Sequence, residues 1–95
     1  AHLREHGVSR LVFASSSSVY GDGPAPFRED AAADRPRSPY AASKRAAELF
    51  LASEAHHAGL RVAAVRLFTV YGPRQRPDLA ISTFARALRA GTPLP

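Results

Sequence analysis

Ser38-Pro39-Tyr40-Ala41-Ala42-Ser43-Lys44 opens the stretch that decides the fold. Ser is a strong helix N-cap and Pro is tolerated at the first helical position, so Ser38-Pro39 marks a helix start. The run Tyr40–Ala58 is rich in Ala, Leu and Glu, and Gly59 closes it. Ala42, Ala46, Leu49, Phe50 and Ser53 fall on one stripe at helical spacing. Directly after this helix, Val62-Ala63-Ala64-Val65 is a short apolar run that reads as a strand.

Working outward, Leu11-Val12-Phe13-Ala14 is a similar run, bounded by polar residues, and reads as a buried strand of a parallel sheet. Between it and the helix, Gly21–Arg37 is a long loop broken by Gly21, Gly23, Pro24 and Pro26. Loops of that length in a compact domain are usually functional or mobile. On the other side, Gly72-Pro73 and Pro77 punctuate a second loop, and Leu79–Ala90 reads as a helix with Asp78 in capping position and Gly91 as its stop. Residues 1–8 fit the end of a further helix with Gly7 as its stop. The order is strand, loop, helix, strand, loop, helix. That alternation predicts an α/β fold built from βαβ crossovers on a parallel sheet.

Composition narrows the class. The chain has 95 residues, enough for one small core, and no internal repeat. No apolar run reaches the ~20 residues of a membrane helix, so no membrane partner is expected. Cys is absent, which excludes disulfide and thiolate chemistry and fits a cytoplasmic protein. The net charge of +5 favours acidic ligands in a general way, but it is scattered, with no basic run and no interleaved aromatics. No nucleic-acid partner is therefore expected. His56-His57 sits near a helix C-terminus, where positive charge is favourable, and adjacent side chains point apart on a helix, so no metal site is expected. Glu29-Asp30 and Asp34 read as loop solvation, and Gly21–Gly23 as a turn, since no helix follows it directly.

The cationic residues carry more information. There are twelve Arg and a single Lys, Lys44. Arg stays protonated, whereas Lys presents a compact ammonium that can be tuned, so a lone Lys invites a chemical reason. Tyr40 and Lys44 are four apart on the predicted helix and share a face. A phenol has a pKa near 10 and is a weak base at neutral pH. A neighbouring ammonium favours the phenolate, which makes such a Tyr a competent general acid or base. A nearby Ser can share the proton with a substrate oxygen. In a parallel sheet, ligands sit outside the C-terminal ends of the strands. Ser15-Ser16-Ser17-Ser18, the Phe68–Asp78 loop and the start of the Tyr40 helix all fall at that edge. Against this stand two plainer readings, a solvated Tyr–Lys helix face and a polar strand exit.

Three motifs then resemble a known family: Phe13-Ala14-Ser15-Ser16-Ser17-Ser18-Val19-Tyr20-Gly21, Ser38-Pro39-Tyr40-Ala41-Ala42-Ser43-Lys44, and Arg66-Leu67-Phe68-Thr69-Val70-Tyr71-Gly72-Pro73-Arg74-Gln75-Arg76-Pro77-Asp78. In this order and spacing, over nearly the whole chain, they resemble the middle of the extended short-chain dehydrogenase/reductases, the NAD-dependent sugar-nucleotide epimerases and dehydratases. The resemblance implies a Rossmann-type sheet and NAD as cofactor. It makes Tyr40 the catalytic base and Lys44 its partner and an anchor for the nicotinamide ribose. It puts the catalytic Ser four before Tyr20, at Ser16, with Ser15 and Ser17 as neighbouring candidates. Ala14, Ser15, Leu67 and Phe68 would lie beside the cofactor, together with Tyr40 and Lys44. The implied reaction is oxidation of a sugar C4 hydroxyl to a 4-keto intermediate, followed by reduction from the other face.

Departures from the family pattern refine the expectation. Dehydratases and related decarboxylases carry acidic residues where Ser17 and Ser18 stand, so epimerisation is favoured. The Ser run, Thr69 and Arg76-Pro77-Asp78 look most like uronic-acid 4-epimerases. Hydroxyls of Ser16, Ser17, Ser18 and Thr69, with Arg76, would then hold the nucleotide sugar and its carboxylate. Arg76 also has a plainer reading as an exposed loop cation. The alternatives are a nucleotide-sugar dehydratase, a simple carbonyl reductase and a non-catalytic interaction module. The 24 residues from Ser16 to Tyr40 hold a loop that simple reductases generally lack. Residues 1–95 are expected to form part of an epimerase/dehydratase domain, without the Gly-rich dinucleotide turn and without a C-terminal substrate region. Alone they are expected to bind NAD weakly and to be inactive. The full-length protein is expected to form a homodimer through the helix bearing Tyr40.

Overall fold

A computed structural model describes residues 5–95. Of the helix end expected over residues 1–8, residues 1–4 lie outside that range, while Glu5 is helical and Gly7 has φ +67. The chain forms β1 (Arg10–Ser16), a 3-10 turn (Ser17–Tyr20), α1 (Pro39–Ala58), β2 (Arg61–Leu67) and α2 (Ala80–Ala90). The architecture is α/β, as the alternation of elements predicts. β1 and β2 pair in parallel, with α1 as the crossover between them. Both strands run past their apolar cores: β1 takes in Ser15 and Ser16, and β2 takes in Arg66 and Leu67, because the ladder pairs Ser15 with Arg66 and Ser16 with Leu67.

α1 starts where its capping chemistry places it. The Ser38 hydroxyl accepts from the Ala41 amide at 3.1 Å and Pro39 fills the first turn. Gly59, with φ +64, ends it. The start of α2 differs from expectation. Leu79 holds the N-cap position with no side-chain bond to the helix, because the Asp78 carboxylate is taken by Arg76.

The apolar stripe of α1 is not the face turned to the sheet. The face turned to the sheet carries Ala41 and Glu48, both buried, and half-buried Lys44. Ala42, Ala46, Leu49, Phe50 and Ser53 lie on the exposed face, with Phe50 67% exposed. Tertiary pairing overrides the hydrophobic pattern, since the sheet surface beneath α1 ends in Ser15 and Arg66 and recruits polar partners. Further along, the His56 and His57 rings meet edge to face at 5.5 Å rather than pointing apart, and His57 Nδ1 lies 2.9 Å from the Ser53 carbonyl.

Burial on β1 alternates with the pleat: Leu11, Phe13 and Ser15 face α1, and Val12, 71% exposed, faces the open side. Among the described residues the buried apolar ones are Val19 and Tyr20 of the 3-10 turn, Ala33 of the long loop and Ala41 at the start of α1. The Tyr20 ring stacks on Phe27 at 4.9 Å, and Phe27 reaches Phe68 at 6.0 Å. The accessible surface is 7535 Å², against about 5,300 Å² for a compact chain of this mass.

Gly21 ends the 3-10 turn with φ +59, and a Cβ there would stand 2.4 Å from the Arg35 carbonyl oxygen. Gly21→Ala is therefore expected to destabilise the protein by about 1–3 kcal/mol from backbone conformation alone, with the clash adding to it. Urea unfolding of the variant checks this, and a midpoint equal to that of the parent would refute it.

Candidate active site

The C-terminal ends of β1 and β2 open onto a cleft of about 480 Å³. Ser16, Ser17, Tyr40, Leu67, Phe68, Thr69 and Arg76 line it, with Val70 and Leu79 completing the wall. Residues from three separate motifs, up to 60 positions apart, thus share one cavity.

Ser16 is placed by its dual role as the last residue of β1 and the N-cap of the 3-10 turn. Its Oγ accepts from the Ser18 amide at 3.2 Å and from the Ser18 hydroxyl at 2.9 Å. Both lone pairs are used, so the remaining capacity of Ser16 is to donate its proton. Ser15 points the other way. It is 3% exposed and donates to Glu48 Oε1 at 2.5 Å, so its hydroxyl is committed away from the cleft. Ser18 is held on Ser16 and does not line the cleft.

Tyr40 is the second residue of α1 and is 56% exposed, at the cleft. One turn on, Lys44 Nζ donates to the Ala14 carbonyl at 2.9 Å and lies 5.8 Å from the Tyr40 ring centroid. An ammonium has three donors, and this bond occupies one of them. Leu67 and Phe68 form an apolar wall, 44% and 59% exposed. Arg76, also on the cleft wall, makes a forked pair with Asp78, which holds the Asp78 carboxyl below its usual range.

A second constellation lies behind the cleft, and no sequence motif signals it. Glu48, 7% exposed, accepts from Ser15, from Arg45 Nη1 at 2.9 Å, and from Arg66 Nε at 3.1 Å and Nη2 at 2.9 Å. Arg66 also sits 4.7 Å above the Tyr20 ring, a cation–π contact. Burial pushes the Glu48 carboxyl up, but the hydrogen bonds from Arg66, Ser15 and Arg45 outweigh it and bring it from 4.5 to about 2. The bond to Glu48 in turn raises the Arg66 guanidinium above its ordinary range. A Glu four after a Lys on a helix reads as a solvated pair. The register that sets Ser15 against Arg66 is long-range, and no local signal gives it.

Chemically, the cleft presents a hydroxyl free to donate, a phenol with an ammonium one turn away, an apolar wall and a guanidinium. That set suits proton transfer at an alcohol held beside a flat apolar group. Among the described residues no group of three His, Asp or Glu is placed to hold a metal ion, and no helix is long and apolar enough to cross a membrane.

Comparison with known proteins identifies relatives of the chain. The model of the NAD dependent epimerase/dehydratase family matches residues 1–95. A UDP-glucuronate 4-epimerase of Thermodesulfobacterium geofontis is 45% identical over 92 residues, 97% of this chain and 28% of that protein. Among solved structures, a UDP-N-acetylglucosamine 4-epimerase from Methanobrevibacter ruminantium, in complex with UDP-N-acetylmuramic acid, superposes with a TM-score of 0.84 at 37% identity over 95% of this chain and 30% of that one. The UDP-glucuronic acid 4-epimerase from Bacillus cereus, in complex with NAD, gives 0.81 at 32% identity over 97% of this chain and 30% of that one. The chain thus spans less than a third of the length of each of these proteins. The sheet is of the Rossmann type that these epimerases share.

Proposed function

The chain belongs to the NAD dependent epimerase/dehydratase family, and on that premise we propose that its residues carry the proton chemistry of a UDP-sugar 4-epimerase, with a UDP-uronic acid as the preferred substrate. The observation that carries this reading is the meeting of Ser16, Tyr40, Thr69 and Arg76 in one cleft. Tyr40 takes the proton from the sugar C4 hydroxyl as that carbon is oxidised. It returns the proton when C4 is reduced from the opposite face. Ser16 donates to the same oxygen, which is the capacity its two accepted hydrogen bonds leave open. Thr69 and Arg76 take the sugar carboxylate, Arg76 exchanging one carboxylate, Asp78, for another.

The residues fit NAD in part. Leu67 and Phe68 offer a flat apolar surface for the nicotinamide, and Lys44 keeps donors free for ribose hydroxyls. A bound NAD would supply the reversible acceptor for the C4 hydride. The 95 residues contain no Gly-rich pyrophosphate turn, so that half of the dinucleotide is held by other parts of the enzyme. Hydroxyls rather than carboxyls at Ser17 and Ser18 leave dehydration without an acid–base group. The exposed stripe of Ala42, Ala46, Leu49, Phe50 and Ser53 on α1 is a close-packing surface for a second subunit.

The test is to incubate the full-length enzyme with UDP-glucuronate deuterated at C4. The product should be UDP-galacturonate with the deuterium retained, and loss of the label to water would sink the reading. Arg76→Ala should raise KM for UDP-glucuronate about 10- to 100-fold, as expected for a lost charged hydrogen bond. The same variant should leave KM for UDP-glucose within about threefold, since a neutral sugar forgoes that bond. Parallel rises for both substrates would remove Arg76 from carboxylate recognition.

A further inference from the structure

Ser15 and Glu48 are the buried polar residues among those described, and the proton chemistry above gives neither a role. The Glu48 carboxylate accepts four hydrogen bonds, which fills the roughly four lone-pair sites of a carboxylate. Its partners are distributed in a particular way. Ser15 is on β1, Arg66 faces Ser15 across the ladder on β2, and Glu48 itself is on α1. One carboxylate therefore joins both strands to the crossover helix, at the strand ends that open onto the cleft.

The same helix face carries the chemistry. Tyr40, Lys44 and Glu48 follow at successive turns. Lys44 grips the Ala14 carbonyl and Glu48 grips the Ser15 hydroxyl, so α1 is fastened to two consecutive residues of β1. Ser16 is the next residue. Because side chains alternate along a strand, turning Ser15 toward Glu48 turns Ser16 toward the cleft. We propose that Glu48, held by Ser15 and Arg66, is a positioning residue that sets Ser16 and Tyr40 in register with each other. The proposal rests on the reading of Ser16 and Tyr40 as the groups that act at the sugar C4 oxygen. Misplacing a reacting group by about 1 Å can cost 10²-fold in rate, so the setting of α1 on β1 is felt in turnover.

The experiment uses the full-length enzyme, with kcat, KM and bound NAD measured at 25 °C on preparations shown to be folded by circular dichroism. Ser15→Ala should lower kcat about tenfold and Glu48→Gln about tenfold to a hundredfold, with KM for the UDP-sugar and NAD content unchanged. Ser15→Thr, which keeps the hydroxyl, should stay within about threefold of the parent, while the equally bulky Ser15→Val should fall with Ser15→Ala. A purely structural ion pair predicts a lower Tm with kcat intact. Folded Ser15→Ala and Glu48→Gln enzymes with kcat within twofold of the parent would overturn the proposal, as would a change confined to KM. If the bulkier pair does not fold, Ser15→Ala and Glu48→Gln decide alone. Failure of the underlying reading is separate: it would appear as an unimpaired Tyr40→Phe enzyme.

Discussion

Tyr40→Phe in the full-length enzyme is expected to lower kcat for UDP-sugar epimerisation by about 10³-fold, within the range that positioned acid–base groups contribute. The substitution keeps the ring and its place at the start of α1 and removes only the hydroxyl. Lys44 stays on the Ala14 carbonyl, and Leu67 and Phe68 still form the apolar wall. KM for the sugar nucleotide and the amount of bound NAD should therefore change little. A loss in kcat alone is the signature of an interaction made in the transition state. Ser16→Ala should cost less, because in the proposed mechanism Ser16 shares the proton and does not carry it. Following the C4 proton of the substrate by NMR gives both rates, and a Tyr40→Phe enzyme within tenfold of the parent would remove Tyr40 from the chemistry.

The second large effect is on stability. Glu48→Ala leaves Arg66, whose side chain is 16% exposed, and Arg45 without their shared carboxylate. Removing one partner of a buried pair costs about 3–5 kcal/mol, because the other charge stays buried and uncompensated. The same group makes stability depend on pH. In the folded protein Glu48 titrates at about 2, below its ordinary 4.5. The unfolded chain therefore takes up this proton first as pH falls. The contribution is fully present above pH 4.5 and is lost as pH drops toward 2, with a size on the order of 3 kcal/mol. Urea unfolding of the full-length enzyme at pH 7 and pH 3 should show the parent losing more stability than Glu48→Ala across that interval. Equal losses would mean that other carboxylates carry the acid sensitivity.

Much of this was legible in the chain. Ser38-Pro39 and Gly59 bound α1 in the sequence and in the structure, because caps act within a few residues. The apolar runs mark the strands but not their full length, since Ser15, Ser16 and Arg66 do not read as strand residues until a parallel partner extends the ladder. Asp78 looked like the cap of α2, yet two residues upstream Arg76 offers its carboxylate a charged partner. The face of α1 was the least legible feature. Its apolar stripe lies outward and its polar stripe inward, and the reason is a pairing between Ser15 and Arg66, 51 positions apart. The cleft drew together Ser16, Tyr40, Leu67, Phe68, Thr69 and Arg76 as topology suggested. That Ser15 turns away from it, while Ser16 and Ser17 line it, follows from the bond of Ser15 to Glu48 across the fold, which no local signal gives.

The open side of the sheet, with Val12 71% and Val65 43% exposed, has a consequence for how this segment melts. Denaturant sensitivity scales with the surface that unfolding uncovers. With 7535 Å² already accessible, against about 5,300 Å² for a compact chain of this mass, unfolding uncovers less than it would in a compact domain. The 95 residues by themselves should lose their helical signal over a broad range of urea with a small m-value, whereas the full-length enzyme should give a steep transition.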